Sequence, residues 1–382
     1  MNRIIWLIAT AFLVAGCSKE KEVAPPAELV EFDAVISVKK VWSAGTKGGD
    51  DVLRLGLQPA VEGERVYVAG HGGDLQALEL AGGRGLWRAS TDLALSGGPG
   101  AGEGVVIAGA SSGEVVAIDA QSGQERWRVA VGGEVLAPPA VGGGLAIVRT
   151  VDGRLRALRA VDGTEAWNYE QPVPRLTLRG NGAPLISGDM VLAGFDNGKV
   201  IALSLTTGEL LWTTIVAPPH GRTEIERLVD IDSPVRVSGQ DVFVVGYQGR
   251  VAMLALESGQ IWWGRDLSSY RGLAADDTYL YVTTADSAVV ALRRRDGTEV
   301  WRQDQLLRRA VTAPALAGDT LVVADFDGYL HWLDAATGEM LARAKSGSGR
   351  ISNAPQAAGD LLLVQTDSGD VQAWRAGPRG SG

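Results

Sequence analysis

Short apolar segments with alternating polar positions, separated by glycine-bearing turns, run through most of the chain. The stretch 139–169 contains four such segments, which begin at Pro139, Leu145, Leu155 and Glu165. Alternation with a period of two, interrupted by turns at Gly153 and Gly163, predicts strands joined by hairpins. Gly163 is suited to the positive φ that closes a bulged hairpin. This stretch therefore predicts a four-stranded antiparallel sheet whose first strand begins at a proline.

The same arrangement recurs along the chain in a fixed register. Counting from Gly113, a small residue lies four positions on at Ala117, a second glycine ten on at Gly123 and a tryptophan fourteen on at Trp127. Eight copies share this register, 38 to 51 residues apart, and begin at Gly73, Gly113, Gly153, Gly198, Gly249, Ser287, Gly328 and Gly369. A period near 40 marks an array of supersecondary units. Because each sheet buries its faces only against neighbours, the sequence predicts an all-β, eight-bladed β-propeller.

The two ends of the chain are expected to share one blade. The eighth copy ends after Trp374 without a fourth strand, whereas residues 36–43 form an orphan strand that carries Trp42. We expect this N-terminal strand to join the last blade and close a ring that spans residues 36–376. The repeated tryptophan supplies apolar surface for the seam between blades, and the small residue leaves room for it. Residues 377–382 are expected to form a disordered tail.

Two connections between blades are longer than the usual 12 or 13 residues. The step from Trp167 to Pro184 is 17 residues, and the step from Trp212 to Pro234 is 22. Residues 43–58 make a step of similar length, but their glycine-rich, polar content indicates a plain loop. Both mid-chain inserts join an outermost strand to the next innermost strand, so they lie on one face of neighbouring blades. Inserts gathered on one face typically mark the binding face of a repeat protein.

The two inserts carry the candidate binding residues. Leu176, Leu178 and Arg179 lie in the first insert, and Asp230 and Asp232 follow a helix-like turn in the second. Aliphatic side chains and opposite charges on neighbouring loops favour a protein interface. The alternative is that these residues cap the disc or tie the loops together.

The N-terminus has the features of a secretory signal. Residues 1–17 contain one positive charge, an apolar run and small residues before Cys17, the single cysteine of the chain. Residues 13–17 resemble a bacterial lipobox, which implies cleavage before Cys17 and acylation of it; an ordinary signal peptide is the alternative. Because Ser18 is not the aspartate that usually retains enteric lipoproteins in the inner membrane, we expect an anchor in the outer membrane, facing the periplasm. Residues 18–35 are charged and proline-bearing, which predicts a flexible tether.

Composition and the scarce candidate catalysts argue against other functions. The 382 residues are 46% hydrophobic with a net charge of -9, which describes a globular protein without affinity for nucleic acid. One cysteine excludes an internal disulfide framework. His71, His220 and His331 lie in different repeats, and the calcium-like run at 325–328 has Ala336 where a ligand glutamate belongs. No catalytic residue, cofactor or metal site is expected, so we predict a protein that is not an enzyme.

Several runs carry a resemblance to a known family. The repeat itself, the lipobox and the stretches 242–249, 268–274 and 327–333 resemble the BamB family of PQQ-like repeat lipoproteins over nearly the whole chain. The resemblance implies a non-catalytic scaffold in the outer-membrane BAM complex, which docks on the periplasmic POTRA domains of BamA and assists insertion of β-barrel proteins. Unfolded outer-membrane protein precursors are a further expected partner.

The family's docking motifs match residues already singled out by spacing. Its Leu-x-Leu-Arg motif corresponds to Leu176, Leu178 and Arg179, and its Asp-x-Asp motif to Asp230 and Asp232. The resemblance implies that the leucines are buried anchors, that the arginine pairs with an acidic group of BamA and that the aspartates pair with basic ones. The alternatives are a periplasmic quinoprotein-like enzyme, which lacks support because the adjacent cysteine pair is absent, and a generic peptide-binding propeller.

Overall fold

Each repeat forms one antiparallel sheet. The computed structural model describes residues 24–48, 55–174, 176–178 and 182–379, and within these ranges all regular elements are β-strands. They form eight sheets arranged as the blades of a propeller, which confirms the expected architecture. In the described part of the chain, no helix has the length and apolar character needed to cross a membrane.

The strands of each blade follow one another from the axis of the ring to its rim, and the first strands of most successive blades contact each other around the axis. Two strands precede the first complete blade: β1 (Ile36–Gly45) and β2 (Gly56–Leu57). Blades 1 and 2 contain β3 (Ala60–Glu62), β4 (Arg65–Ala69), β5 (Asp74–Glu79) and β6 (Gly85–Ser90), then β7 (Leu95–Gly102), β8 (Val105–Ala110), β9 (Glu114–Asp119) and β10 (Glu125–Ala130). Blades 3 and 4 contain β11 (Ala140–Gly142), β12 (Leu145–Arg149), β13 (Arg154–Arg159) and β14 (Glu165–Glu170), then β15 (Leu185–Ser187), β16 (Met190–Gly194), β17 (Lys199–Ser204) and β18 (Leu210–Ile215).

The second half of the ring repeats this arrangement. Blades 5 and 6 contain β19 (Arg236–Ser238), β20 (Asp241–Val245), β21 (Arg250–Ala255) and β22 (Ile261–Asp266), then β23 (Gly272–Ala275), β24 (Tyr279–Thr283), β25 (Val289–Arg293) and β26 (Glu299–Gln303). Blade 7 contains β27 (Ala315–Ala317), β28 (Thr320–Ala324), β29 (Tyr329–Asp334) and β30 (Met340–Lys345). Blade 8 contains β31 (Gln356–Ala358), β32 (Leu361–Gln365), β33 (Asp370–Arg379) and, at its rim, β1.

The ring closes through β1, as the orphan N-terminal strand predicted. β1 pairs antiparallel with β33 from Ile36 opposite Arg379 to Gly45 opposite Asp370. Because β1 offers backbone partners along this length, residues 377–379 belong to the last blade instead of the expected disordered tail. Residues 380–382 lie outside the described part of the chain.

The seams between blades combine tryptophan and glycine. A Cβ atom on Gly163 would lie 2.7 Å from the ring of Trp127 in the preceding blade, and the Trp127 indole N–H donates to the carbonyl of Ala160 at 2.9 Å. The same pair of contacts is made by Trp42, Trp87, Trp167, Trp212, Trp263 and Trp301. The predicted small residue, Ala117, lies opposite Trp127 across β9 and β10. The glycine ten positions on therefore has two reasons to be glycine, a φ of 75° at Gly163 and the close approach of an indole.

Residues near the axis depart from the expected plain loop. β2 pairs in parallel with β7 at the inner edge of blade 2. Both backbone carbonyls flanking Gly56, those of Leu55 and Leu57, accept a hydrogen bond from the Asn353 side chain at 2.9 Å. A Cβ on Gly56 would lie 1.9 Å from the Leu136 carbonyl oxygen. Glycine thus allows this strand to enter the crowded centre of the ring.

The expected tether is partly docked. Residues 24–35 form no strand, but they lie against blade 7, where the backbone N–H of Val35 donates to the carbonyl of Leu341 at 2.8 Å. Residues 18–23, like Cys17, lie outside the described residues.

Candidate functional site

The two long connections lie on the same face of the ring. Adjacent strands within a blade are antiparallel, so every connection from an outermost strand to the next blade ends on one face, together with each turn between a second and a third strand. We call the connections 171–184 and 216–235 loop A and loop B, and we call this side of the ring the insert face. Loop A follows β14 and loop B follows β18, so they flank blade 4.

Loop A presents aliphatic side chains to solvent. Leu176 and Leu178 are each 41% exposed, although leucine is among the residues most often buried. Leu178 also lines a cavity on the ring axis that is described below. Arg179, the third residue of the motif, lies outside the described residues. Two exposed leucines on one loop therefore fit an apolar anchor for another molecule.

The aspartates of loop B lie beneath loop A and not on its surface. Asp230 is 0% exposed and Asp232 is 7% exposed. One carboxylate oxygen of Asp230 accepts a hydrogen bond from the backbone N–H of Leu178. The sequence predicted ion pairs between these aspartates and basic groups of a partner. In this conformation the two carboxylates are buried and do not reach the surface where such a partner would bind. The geometry assigns Asp230 a different task, which is to hold the backbone of loop A.

Loop B is itself fixed by backbone contacts on both sides. Val229 forms a parallel bridge with Asn197 of blade 4. The backbone N–H of Tyr247, in blade 5, donates to the carbonyl of Asp230 at 2.8 Å. The N–H of Ile231 donates to the carbonyl of Phe195 at 3.2 Å. Loop B is therefore bound through its backbone to both blades 4 and 5. These contacts fix the position of the Asp230 side chain.

A buried ion pair between Arg149 and Asp196 lies beside these aspartates. The guanidinium of Arg149 lies 2.8 Å from the Asp196 carboxylate, donates to the Gly182 carbonyl at 3.0 Å and stacks over the Phe195 ring at 5.1 Å. Arg149 and Asp196 were not singled out from the sequence. The sequence did offer a signal, which was an arginine at the end of the apolar strand β12. A buried arginine requires a partner of opposite charge, so this position could have prompted a search for an acidic residue.

The aspartates carry an electrostatic penalty. Desolvation and, to a smaller extent, the nearby negative charge of Asp196 raise the pKa of Asp230 to about 7. The hydrogen bond from the Leu178 N–H and the positive charge of Arg149 oppose this rise. Desolvation and the charges of Asp196 and Asp230 also raise the pKa of Asp232 well above its usual value. Within the described residues, one oxygen of Asp230 has no hydrogen-bond partner, and Asp232 lies beside Asp196. Among the described residues, Arg149 is therefore the one arginine that faces three buried carboxyl groups, which disfavours full ionisation.

The turn in loop B adds a second apolar point. The sequence predicted a helix-like turn, and the N–H of Arg227 donates to the carbonyl of Thr223 at 3.1 Å. The Glu226 carboxylate accepts the backbone N–H groups of Arg222 and Thr223 at 2.7 and 3.0 Å, which closes the turn. Ile225 at its tip is 68% exposed. The insert face therefore presents apolar side chains from both loops.

A cavity of about 650 Å³ opens on the ring axis beside these loops. Its lining includes Leu178, Asp232, Tyr247, Tyr270 and Arg271. The two tyrosine rings meet edge to face at 5.9 Å, and the Arg271 guanidinium lies 4.7 Å from the centre of the Tyr270 ring. Among the described residues, no cluster of histidine, cysteine, aspartate and glutamate is arranged to hold a metal ion.

The histidines do not come together. His71 contacts the carbonyl of Leu95 at 2.8 Å, His220 is exposed in loop B, and His331 is fully buried beside Asp325 in blade 7. Residues 325–328 form a hairpin turn, as expected, in which the N–H of Asp327 donates to the Asp325 carboxylate at 3.0 Å. The three histidines therefore form no shared site.

Fold and surface together define a tryptophan-docked, PQQ-like repeat propeller whose candidate site is a pair of loops on one face. A family profile described as outer membrane protein assembly factor BamB matches residues 71–303 and 285–377. An outer membrane protein assembly factor BamB from Pseudomonas aeruginosa is 48% identical over 369 residues, which cover 96% of this chain and 97% of the relative. One from Alkalilimnicola ehrlichii is 44% identical over 374 residues, covering 98% and 97%. The chain belongs to the BamB family.

Solved structures agree with this assignment. The crystal structure of BamB from Moraxella catarrhalis matches with a TM-score of 0.82 at 28% identity and covers 89% of this chain and all (100%) of that one. A quinohemoprotein alcohol dehydrogenase from Comamonas testosteroni matches with a TM-score of 0.68 at 14% identity, over 88% of this chain and 76% of that one. A likeness at that identity concerns the fold alone, so it gives no support to the quinoprotein alternative.

Proposed function

We propose that the chain is a non-enzymatic, lipid-anchored scaffold of β-barrel assembly in the outer membrane, and that it docks on the POTRA domains of BamA through its insert face. Membership of the BamB family supports the assembly role. The observation that carries the docking site is the exposed pair Leu176 and Leu178 on a loop whose backbone is held by buried Asp230.

In this proposal the motif residues have two kinds of task. Leu176 and Leu178 enter pockets of the partner as apolar anchors, and Arg179 pairs with an acidic group of BamA. Asp230 and Asp232 support loop A and do not contact the partner, because both are buried. Asp230 binds the backbone N–H of Leu178. Preorganising loop A lowers the entropy lost on docking.

The docking test measures binding of the soluble chain from Ser18 onward to purified BamA POTRA domains. We expect Leu178→Ala to weaken binding about 30-fold, since truncating a buried anchor costs on the order of 2 kcal/mol. Leu210→Ala is the matched control, because Leu210 is 47% exposed but lies on β18 at the rim of blade 4. Equal binding by the two variants would remove loop A from the interface.

A second pair of variants separates support from direct contact. Asp230→Asn keeps an oxygen that accepts the Leu178 N–H, whereas Asp230→Ala does not. We expect Asp230→Ala to weaken POTRA binding and Asp230→Asn to preserve it. If both variants lose binding equally, the carboxylate charge itself contacts the partner, and the ion pairs expected from the sequence are restored. Circular dichroism checks that each variant is folded.

The anchor is proposed at Cys17 in the inner leaflet of the outer membrane, on the periplasmic side. Acylation at several positions supplies about 0.8 kcal/mol per buried CH₂, which gives stable attachment. Cys17→Ser is expected to move the protein from the outer-membrane fraction to the soluble periplasmic fraction. A Cys17→Ser protein that stays with the outer membrane after a high-salt wash would contradict the lipid anchor.

A further inference from the structure

The described part of the N-terminal segment is fastened to the rim of blade 7. We call residues 24–35 the strap. Near its start, the N–H of Ala27 donates to the carbonyl of Leu307 at 2.9 Å, and at its end the N–H of Val35 donates to the carbonyl of Leu341 at 2.8 Å. Between these points Leu29 packs against the apolar core between blades 6 and 7. The strap is therefore held along its length.

Three arginines of the ring hold the strap by its backbone carbonyls. Arg308 donates to the carbonyl of Pro25 at 2.7 Å, and Arg309 donates to that of Ala27 at 3.1 Å. Arg343 donates to the carbonyl of Val30 at 2.9 Å, and its guanidinium also lies 5.1 Å from the ring centre of Phe32. Hydrogen bonds from a charged donor are stronger than those between neutral groups.

Two of these arginines are themselves fixed by a buried network. Arg309 is bound to the carboxylates of Asp325 and Asp327 at 2.7 Å each. The Nε of Arg343 donates to Nδ1 of His331 at 3.2 Å, and Nε2 of His331 contacts Asp325 at 3.1 Å. Asp325 and His331 are fully buried. The arginines that bind the strap are therefore oriented by side chains of blade 7 itself.

The course of the strap decides on which face the chain begins. Leu307 lies in the connection from β26 to β27, which is on the insert face. Leu341 lies at the start of β30, which is on the opposite face, and the chain then enters β1 at Ile36 on that same opposite face. The strap thus crosses the thickness of the ring, and residue 24 emerges on the insert face. A chain that left the ring directly at Ile36 would emerge on the other side.

The strap also shortens the connection to the anchor. Seven residue steps separate Cys17 from Ala24, which reach about 25 Å when extended, whereas the nineteen steps from Cys17 to Ile36 would reach about 65 Å. We infer that the strap turns the insert face toward the lipid surface and holds the sector of blades 6 and 7 beside it. This inference rests on the proposed anchor at Cys17. Loops A and B then work in the gap between the disc and the membrane.

The test compares two fluorophores on opposite faces of the same blade. Ser112 lies in the turn between β8 and β9 on the insert face, and Ser122 lies in the turn between β9 and β10 on the opposite face; both are exposed. Because the chain has a single cysteine and acylation consumes it, Ser112→Cys and Ser122→Cys each give one reactive thiol. Full-length acylated protein is placed in phosphatidylcholine vesicles that carry a headgroup quencher. We expect the label at 112 to be quenched at least twofold more than the label at 122.

A second pair of variants ties the orientation to the strap. Leu29→Ser/Phe32→Ser removes the two partly buried strap side chains and is expected to abolish the difference between the labels. Val30→Ser/Val35→Ser changes two side chains that are 57% and 47% exposed, and is expected to keep it. Loss of the difference in both double variants, or persistence in both, would overturn the role of the strap.

A third arm separates this inference from the anchor. The chain from Ser18 carries an N-terminal hexahistidine tag and is bound to vesicles with nickel-chelating lipids, so no acylation is needed. Stronger quenching of the label at 112 in this arm supports the orientation. It does so whether or not mass spectrometry of the natural protein shows acylation at Cys17. Equal or reversed quenching in this arm overturns the orientation, whereas an unmodified Cys17 with preserved orientation counts against the proposed anchor alone.

Discussion

Replacing Asp230 by asparagine removes a buried charge while keeping its hydrogen bond. The carboxyl group is fully buried; one oxygen accepts the Leu178 N–H, and the other has no partner in the described part of the chain. The charged groups around it in the described structure are Asp196, Asp232 and Arg149. Because the pKa of Asp230 is raised to about 7, the folded protein keeps this proton over a pH range in which the unfolded chain has released it.

The size of the effect follows from that pKa. Between the usual value of 3.8 and about 7, the folded state binds about one more proton than the unfolded state. The free energy of unfolding therefore falls as pH rises, by about 1.4 kcal/mol per pH unit, to a total on the order of 4 kcal/mol. Asp230→Asn lacks this titration. Its amide N–H₂ carries two new donors, and leaving a buried donor unsatisfied costs on the order of 1 to 3 kcal/mol at every pH.

The assay is urea unfolding of both proteins at pH 5, 6, 7 and 8. We expect Asp230→Asn to be equal to or less stable than the natural chain at pH 5. Between pH 5 and pH 8 it should gain about 2 to 3 kcal/mol relative to the natural chain. Asp189→Asn serves as the control, because Asp189 is an exposed aspartate in the neighbouring blade 4.

A constant difference between Asp230→Asn and the natural chain from pH 5 to pH 8 would refute the reasoning. It would show that the Asp230 carboxylate is stabilised in the folded state as well as it is in water. Asp232 would then carry the excess charge of the cluster, and Asp232→Asn would show the pH dependence instead.

Three further changes test the ring. Arg149→Ala should cost about 3 to 5 kcal/mol, because it leaves Asp196 buried without its partner, and thermal unfolding should show it. Gly56→Ala should lower the melting temperature by several degrees, since its Cβ would meet a backbone carbonyl oxygen at 1.9 Å, whereas Gly85→Ala, with open space around it, should change it little. Trp212→Phe should cost about 1 to 2 kcal/mol in urea unfolding through its lost hydrogen bond and lost apolar area; no loss would mean that this seam is not stabilising.

The repeat made the ring predictable. Each copy states its strand positions through the same spacing of glycine, small residue and tryptophan, so the blade number and the closing strand followed from a pattern repeated eight times. Leu176 and Leu178 were identified because they interrupt that pattern with an insert. A long loop carries no period, however, and its depth depends on contacts with distant residues.

The burial of the aspartates illustrates this limit. Asp230 reads as a surface charge beside Asp232, and it becomes buried only because Val229 bridges to Asn197 and Tyr247 binds the Asp230 carbonyl. The strap is a similar case. Its composition indicates a tether, and its docking depends on ring arginines about 280 to 310 residues away. Such pairings leave no local periodicity in the sequence.

Closure of the ring by β1 has a consequence for the order of events during synthesis. β1 is the first strand of the ring to be made, and its partner β33 is the last. Thr46 and the Gly369 carbonyl that it contacts are 323 positions apart in the sequence. Contacts at such separation form slowly, because a long loop must close first. Until then the first strand is an unpaired edge, and such edges invite aggregation. A nascent chain of this family would therefore gain most from a chaperone that shields its N-terminal strand until the C-terminus is released.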